Sequence, residues 1–122
     1  MNVLLGIEGS DESMNALEST VERTLETGDD LTIAVVEKPE AKRSQEETYE
    51  VASEQLAAAG LDAKLTMLEG DPGSALVDLA ERESFDMVVI GGGTQSPMGK
   101  IRLGPITEFV LLNAPSTVTL VR

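Results

Sequence analysis

Apolar positions along the 122-residue chain follow two periods. Asn2 to Ile7, Leu31 to Val36 and Phe85 to Ile90 are short apolar runs. They are too brief for helices and too uniformly apolar for one-sided strands, so they predict buried parallel strands. Asp62 to Leu68 instead alternates, with Ala63, Leu65 and Met67 against Asp62, Lys64 and Thr66. That pattern predicts a strand near a sheet edge. Thr117 to Val121 is a last, uncharged strand. Between these runs the period becomes helical: Met14, Leu17, Val21 and Leu25, then Tyr49, Ala52, Leu56 and Ala59. Leu76, Leu79 and Ala80 form a third stripe, and Ile106, Phe109, Val110 and Asn113 a fourth. Glu18, Glu22 and Glu26 fall on the solvent side of the first helix. Ser10 or Asp11 caps that helix, and Asp71-Pro72 starts the third. Gly28, Gly60 and Pro115 mark helix ends.

The resulting order, βαβαβαβαβ, calls for a single α/β domain over residues 1–122, with helices on both faces of a parallel sheet. Right-handed crossovers and a doubly wound five-stranded order, 3-2-1-4-5, put the switch point between strands 1 and 4. Glu8 follows strand 1 and Gly91 follows strand 4, so the two should meet at that crevice. Strand 4 runs into Gly91-Gly92-Gly93-Thr94, and a helix begins after Leu103-Gly104-Pro105. Glycines let a backbone approach a ligand closely, and helix N-terminal amides attract anions. The plainer readings are that these glycines only relieve crowding, and that Glu8 is one more solvated acid.

Composition narrows the chemistry. The chain has neither cysteine nor histidine. That excludes disulfides, thiolate sites, Ser-His-Asp hydrolysis and histidine-based metal chemistry. The formal net charge is −13, which argues against a nucleic-acid partner. Such acidity with few lysines also suggests a salt-loving source, on a surface whose self-repulsion salt would screen. Glu108 is the only acid after residue 86, whereas Lys100, Arg102 and Arg122 all lie there. The glycine loop therefore occupies the one locally basic part of the chain, which favours an anionic ligand. No apolar run is long enough for a membrane span and no signal-like segment leads the first strand, so a cytoplasmic location is expected.

Familiar phosphate motifs do not fit. A P-loop ending at Gly99-Lys100 would need glycine where Thr94 stands and a hydroxyl where Ile101 stands. Gly6-Ile7-Glu8-Gly9 lacks the third glycine of the dinucleotide fingerprint. A receiver domain would need aspartate after strand 3, where the chain has Leu68-Glu69-Gly70. Leu4-Leu5-Gly6-Ile7-Glu8-Gly9-Ser10, the glycine loop with Gly104-Pro105-Ile106-Thr107-Glu108, and Asn113-Ala114-Pro115-Ser116-Thr117-Val118 together form another pattern. Over essentially its whole length the chain resembles the universal stress protein family.

That resemblance implies a stress-response module, nucleotide-sensing or adaptor in character, holding ATP or AMP weakly in the crevice, with Mg²⁺ possible. By position it would place Gly6, Ile7, Glu8, Val35, Ile90, Gly91, Thr94, Gly104, Pro105, Ile106 and Thr107 at the nucleotide, with Lys100 near the phosphates. Glu8 replaces the family's aspartate, Thr94 a glycine and Pro105 a serine or threonine. Proline removes a hydroxyl and an N–H, each worth about 1.5–3 kcal/mol toward a charged group. Glu8 keeps the charge and moves it by about 1.5 Å, roughly one bond. No catalysis beyond slow ATP hydrolysis is implied. The alternative is a dimeric interaction module of the same fold without nucleotide, serving unknown protein partners. Relatives pair the last strand with its twin, so a homodimer through Thr117–Val121 is expected, in line with the tendency of uncharged edges to pair.

Overall fold

A computed structural model describes residues 1–92, 94–95 and 101–122; for 94, 95, 101 and 102 it describes the backbone alone. Five strands form one parallel sheet: β1 (Asn2–Ile7), β2 (Asp30–Val35), β3 (Lys64–Met67), β4 (Met87–Gly91) and, last in the chain, β7 (Thr117–Val121). Their spatial order is β3-β2-β1-β4-β7. This is the doubly wound order expected from the alternation of periods. Between β4 and β7 lies a small antiparallel hairpin that the pattern does not predict, β5 (Thr94–Gln95) against β6 (Ile101–Arg102). Two-residue strands are too short to show a period.

Four helices cover the sheet: α1 (Asp11–Thr27), α2 (Gln45–Ala59), α3 (Pro72–Arg82) and α4 (Pro105–Asn113). Side chains alternate across the strands. Val3, Leu5, Ile7, Ile33, Val35 and Val89 pack with Leu17, Val21, Ala52 and Leu56 of α1 and α2. Leu4, Ala34, Val36, Val88 and Ile90 pack with Leu76, Leu79, Ala80 and Val110 of α3 and α4. Both faces are thus apolar, which is why the central strands read as continuous runs.

The first helix departs from its sequence pattern. The residues it buries are Ser13, Ala16, Leu17, Thr20, Val21 and Thr24. Met14 is only half-buried and Leu25 is 52% exposed. Small residues let the helix lie close to the sheet, and the buried threonines have partners: Thr24 Oγ1 donates to the Thr20 carbonyl at 2.7 Å. The same holds in α2, where Thr48 is fully buried and donates to the Ser44 carbonyl at 2.8 Å, while Tyr49 and Ala59 are half-buried.

Caps set the helix starts. Ser10, Ser44 and Asp71 each accept a first-turn amide, with Glu47 completing a capping box on α2. Gly28 and Gly60 end α1 and α2 in the left-handed conformation that side chains rarely adopt. Leu17→Ala should lower the unfolding free energy by about 2–5 kcal/mol, as for other buried leucines. Leu25→Ala should change it by less than about 0.5 kcal/mol. Urea denaturation of the two variants checks the corrected stripe.

Candidate functional site

The parallel strands β1, β2 and β4 end side by side, and the connections leaving β1 and β4 diverge to opposite faces. A cavity of about 350 Å³ opens there, within the usual small-molecule range. Gly6, Ile7 and Glu8 line it from β1, Ile90 to Gly92 from β4, and Leu103 to Thr107 from the start of α4. Glu8 and Gly91 thus meet as the strand order requires. Lys100 lies outside the described residues, as does Gly93, and the side chains of Thr94 and Arg102 are likewise not described. Val35 does not line the cavity; Val36 does. The Val35 side chain points to the opposite face of the sheet. Its carbonyl accepts from Leu68 N at 2.9 Å and from Gln45 Nε2 at 3.0 Å, which uses both lone pairs.

Glu8 is the electrostatic centre of the cavity. It is only 8% exposed, so its charge has to be compensated. Oε1 accepts from Ser10 N at 3.1 Å, from Ser13 Oγ at 2.8 Å and from Ser10 Oγ in a short contact. Oε2 is buried without a hydrogen bond. Lys38 Nζ lies 2.8 Å from it in an ion pair. Burial pushes the Glu8 carboxyl up, but Lys38, Ser10 and Ser13 outweigh it and hold the group below its ordinary value. The same contact with Glu8 raises Lys38 above the usual lysine value.

Lys38, Ser10, Ser13 and Glu12 all line the cavity and escape a reading by resemblance. A signal for Lys38 was present. In the order 3-2-1-4-5 the end of β2 lies beside the end of β1, and Lys38 is the first base after β2. Further along the same segment, Arg43 Nη1 donates to the Gly9 carbonyl at 3.2 Å and pairs with Asp11 at 3.1 Å. Lys42 lies 3.5 Å from Asp11. Gly9 has to be glycine here, because a Cβ would collide with the Arg43 backbone.

The other glycines divide by role. A Cβ on Gly91 would strike the Glu12 carbonyl, and one on Gly92 would come within 2.7 Å of Thr107 Oγ1. Both therefore permit close packing, as the plainer sequence reading held, while also lining the cavity. Gly104 is different: among the described residues, nothing lies within 4 Å of where its Cβ would stand. It is the N-cap of α4 and supplies no capping side chain. Pro105 has no N–H, and Glu108 N is the first amide bonded back, to the Gly104 carbonyl at 3.0 Å. Ile106 and Thr107 therefore hold the first-turn amides that lack an intrahelical partner. The cavity runs from a carboxylate–ammonium pair at one end to an uncapped helix N-terminus at the other.

Because Glu8 is held below its ordinary value, its contribution to stability is fully present above about pH 4.5 and is lost as pH falls through the lower folded value. The advantage of the wild-type chain over Glu8→Gln in melting temperature should accordingly be constant from pH 7 to 5 and shrink toward pH 3. Thermal scans of both proteins across that range check it; a difference that stays constant to pH 3 would contradict it.

Comparison with known proteins agrees with this architecture. The family model for the universal stress protein family matches residues 1–122. A universal stress protein of Methanothermobacter thermautotrophicus is 42% identical over 59 residues, covering 48% of this chain and 40% of that protein. The stress response protein NhaX of Bacillus subtilis is 30% identical over 93 residues, or 74% of this chain and 56% of that protein. The chain thus spans about half the length of these two relatives. A universal stress protein structure from Archaeoglobus fulgidus superposes with a TM-score of 0.80 at 22% identity, covering 100% of this chain and 98% of that one. Another from the same organism, in complex with dAMP, gives 0.75 at 21%, with 100% and 98% covered. A universal stress protein in complex with cAMP gives 0.71 at 25%, with 98% and 95% covered. With a strand order, a crevice and a family model that agree from end to end, the chain belongs to the universal stress protein family.

Proposed function

We propose that the crevice binds an adenine nucleotide, AMP or ATP, and that occupancy of the site is the signal this protein passes on. The observation that carries the reading is the polarity of the cavity along its length. At the α4 end, first-turn amides without an intrahelical partner, and a Gly104 whose Cβ position meets no described atom within 4 Å, suit a phosphate. At the β1 end, Glu8 and Glu12 repel phosphate, while an acid at a strand end suits sugar hydroxyls. Val36, Leu76 and Ile90 supply an apolar wall for a base. The family members solved with cAMP and dAMP lend support. Mg²⁺ would arrive with a triphosphate and be held mainly by its oxygens. The reading assigns sensing rather than turnover.

Gly104→Asp separates binding from folding. Aspartate is a good N-cap, so the variant should melt at or above the wild-type temperature. Its carboxylate would face the phosphate end and should weaken AMP and ATP binding by at least about tenfold, the factor set by 1.4 kcal/mol. Calorimetric titration of dialysed protein with Mg²⁺ measures this. Absence of binding by the wild-type chain at millimolar nucleotide would move the protein to the class of interaction modules without ligand.

The assembly expected of such a module is a homodimer through the free edge of β7. Val121 accepts from Gly92 N at 3.1 Å and so faces β4, which by alternation turns the amides of Val118 and Leu120 to the open edge. Val118 and Leu120 side chains pack on the core, so lysine at either would disturb folding as well as pairing. Val118→Pro removes one edge donor at a position where proline is tolerated. Light scattering should report a dimer for the wild-type chain and a monomer for this variant.

A further inference from the structure

We infer that the crevice continues into a second binding site, and that the ligand spanning both is an adenine nucleotide extended beyond its phosphate by a planar organic cation. The inference rests on the adenine-nucleotide reading above and deepens it by naming what lies on the far side of the phosphate. A second cavity, of about 440 Å³, adjoins the first, and Lys38, Pro105 and Ile106 line both. The shared wall is thus the start of α4, where the Ile106 and Thr107 amides lack an intrahelical partner. A phosphate held by those amides sits where the two cavities meet. A mononucleotide with its base in the first cavity ends at that junction. A nucleotide substituted on its phosphate continues past it.

The lining of the second cavity decides what it accepts. Glu37, Glu40 and Asp71 border it, against the single cation Lys38. Lys38 is already paired with Glu8 at 2.8 Å, and Glu37 and Glu40 have no ion pair among the described residues. Asp71 commits one oxygen to the cap of α3, accepting Ser74 N at 3.0 Å. Further phosphates entering this space would meet uncompensated negative charge, whereas a cation would be attracted. The same cavity is walled by Phe109, which is 38% exposed. Its ring lies against α3 where only glycine leaves room: a Cβ on Gly73 would come within 2.8 Å of a ring carbon. A flat cation answers both features, because an aromatic face attracts positive charge and also stacks with a planar group. A compact ammonium would gain the charge without the stacking.

The test is calorimetric titration of the wild-type chain with AMP, ADP-ribose, NADH and NAD⁺, whose pyridinium ring is a planar cation. High salt screens the long-range field of the −13 chain, which would otherwise favour the least negative ligand wherever it bound. NAD⁺ should bind about fivefold or more tighter than ADP-ribose, which lacks the ring, and than NADH, whose ring is uncharged. In the double variant Glu40→Gln/Phe109→Leu both ratios should fall to within about twofold, with AMP affinity unchanged. Equal wild-type affinity for NAD⁺ and ADP-ribose overturns the inference while leaving the nucleotide reading intact. NADH binding as tightly as NAD⁺ also overturns it, since charge would then play no part. So does an advantage for NAD⁺ that survives in the double variant. Failure of all four ligands to bind the wild-type chain overturns both readings. The wild-type ratios require no substitution, so they test the inference even if the double variant folds poorly.

Discussion

An ionised carboxylate at the end of the central strand has to be compensated where water is scarce, and that requirement organises the functional end of this fold. Glu8 meets it with two serines and a lysine drawn from either side. Ser10 serves twice, since its side chain also accepts Ser13 N at 3.1 Å and so caps α1. The strand end, the helix start and the segment after β2 are therefore set by one group. Removing a partner would leave a buried charge, which is far more costly than the net worth of the pair. Gly9 tightens the same region by steric means, because the Arg43 backbone occupies the space a side chain would take.

The architecture was readable because parallel sheets covered on both faces produce unmistakable runs. Leu4 and Leu5 face opposite layers and both are fully buried, so strand β1 shows no polar position until Glu8. Helix faces were harder. Packing α1 close to the sheet favours Ala16, Thr20 and Thr24 over the larger Met14 and Leu25, and small polar residues carry little hydrophobic signal. Hydroxyls that bond a carbonyl one turn back make that burial inexpensive, and the sequence alone does not reveal the partner. The β5–β6 hairpin lies below the length at which alternation can be detected.

At the site, what sequence conveyed was position along strands, and what it could not convey was side-chain reach. Glu8 and Gly91 follow from the strand order and Gly104 from the helix start, whereas Thr107 comes from the resemblance alone. Lys38 comes to Glu8 across a strand boundary, a contact that only the spatial order of β1 and β2 brings about. Val35 and Val36 differ by one residue and therefore by a whole face of the sheet: the resemblance brings the Val35 backbone to the ligand, whereas the side chain that lines the cavity is that of Val36. Gly91 was singled out for a ligand, yet its close approach to α1 already accounts for it.

Of the four helices, α4 alone begins without a capping side chain. Substituting a good cap by one that cannot accept an amide typically forfeits about 0.5–2 kcal/mol, although glycine forfeits less. The helix is thus built slightly short of its attainable stability at the place where it borders the cavity. An anion seated there would complete the helix as a serine would, so that its binding and the firmness of α4 would become one equilibrium. A fold of this design trades a little intrinsic firmness for the capacity to be made firmer from outside.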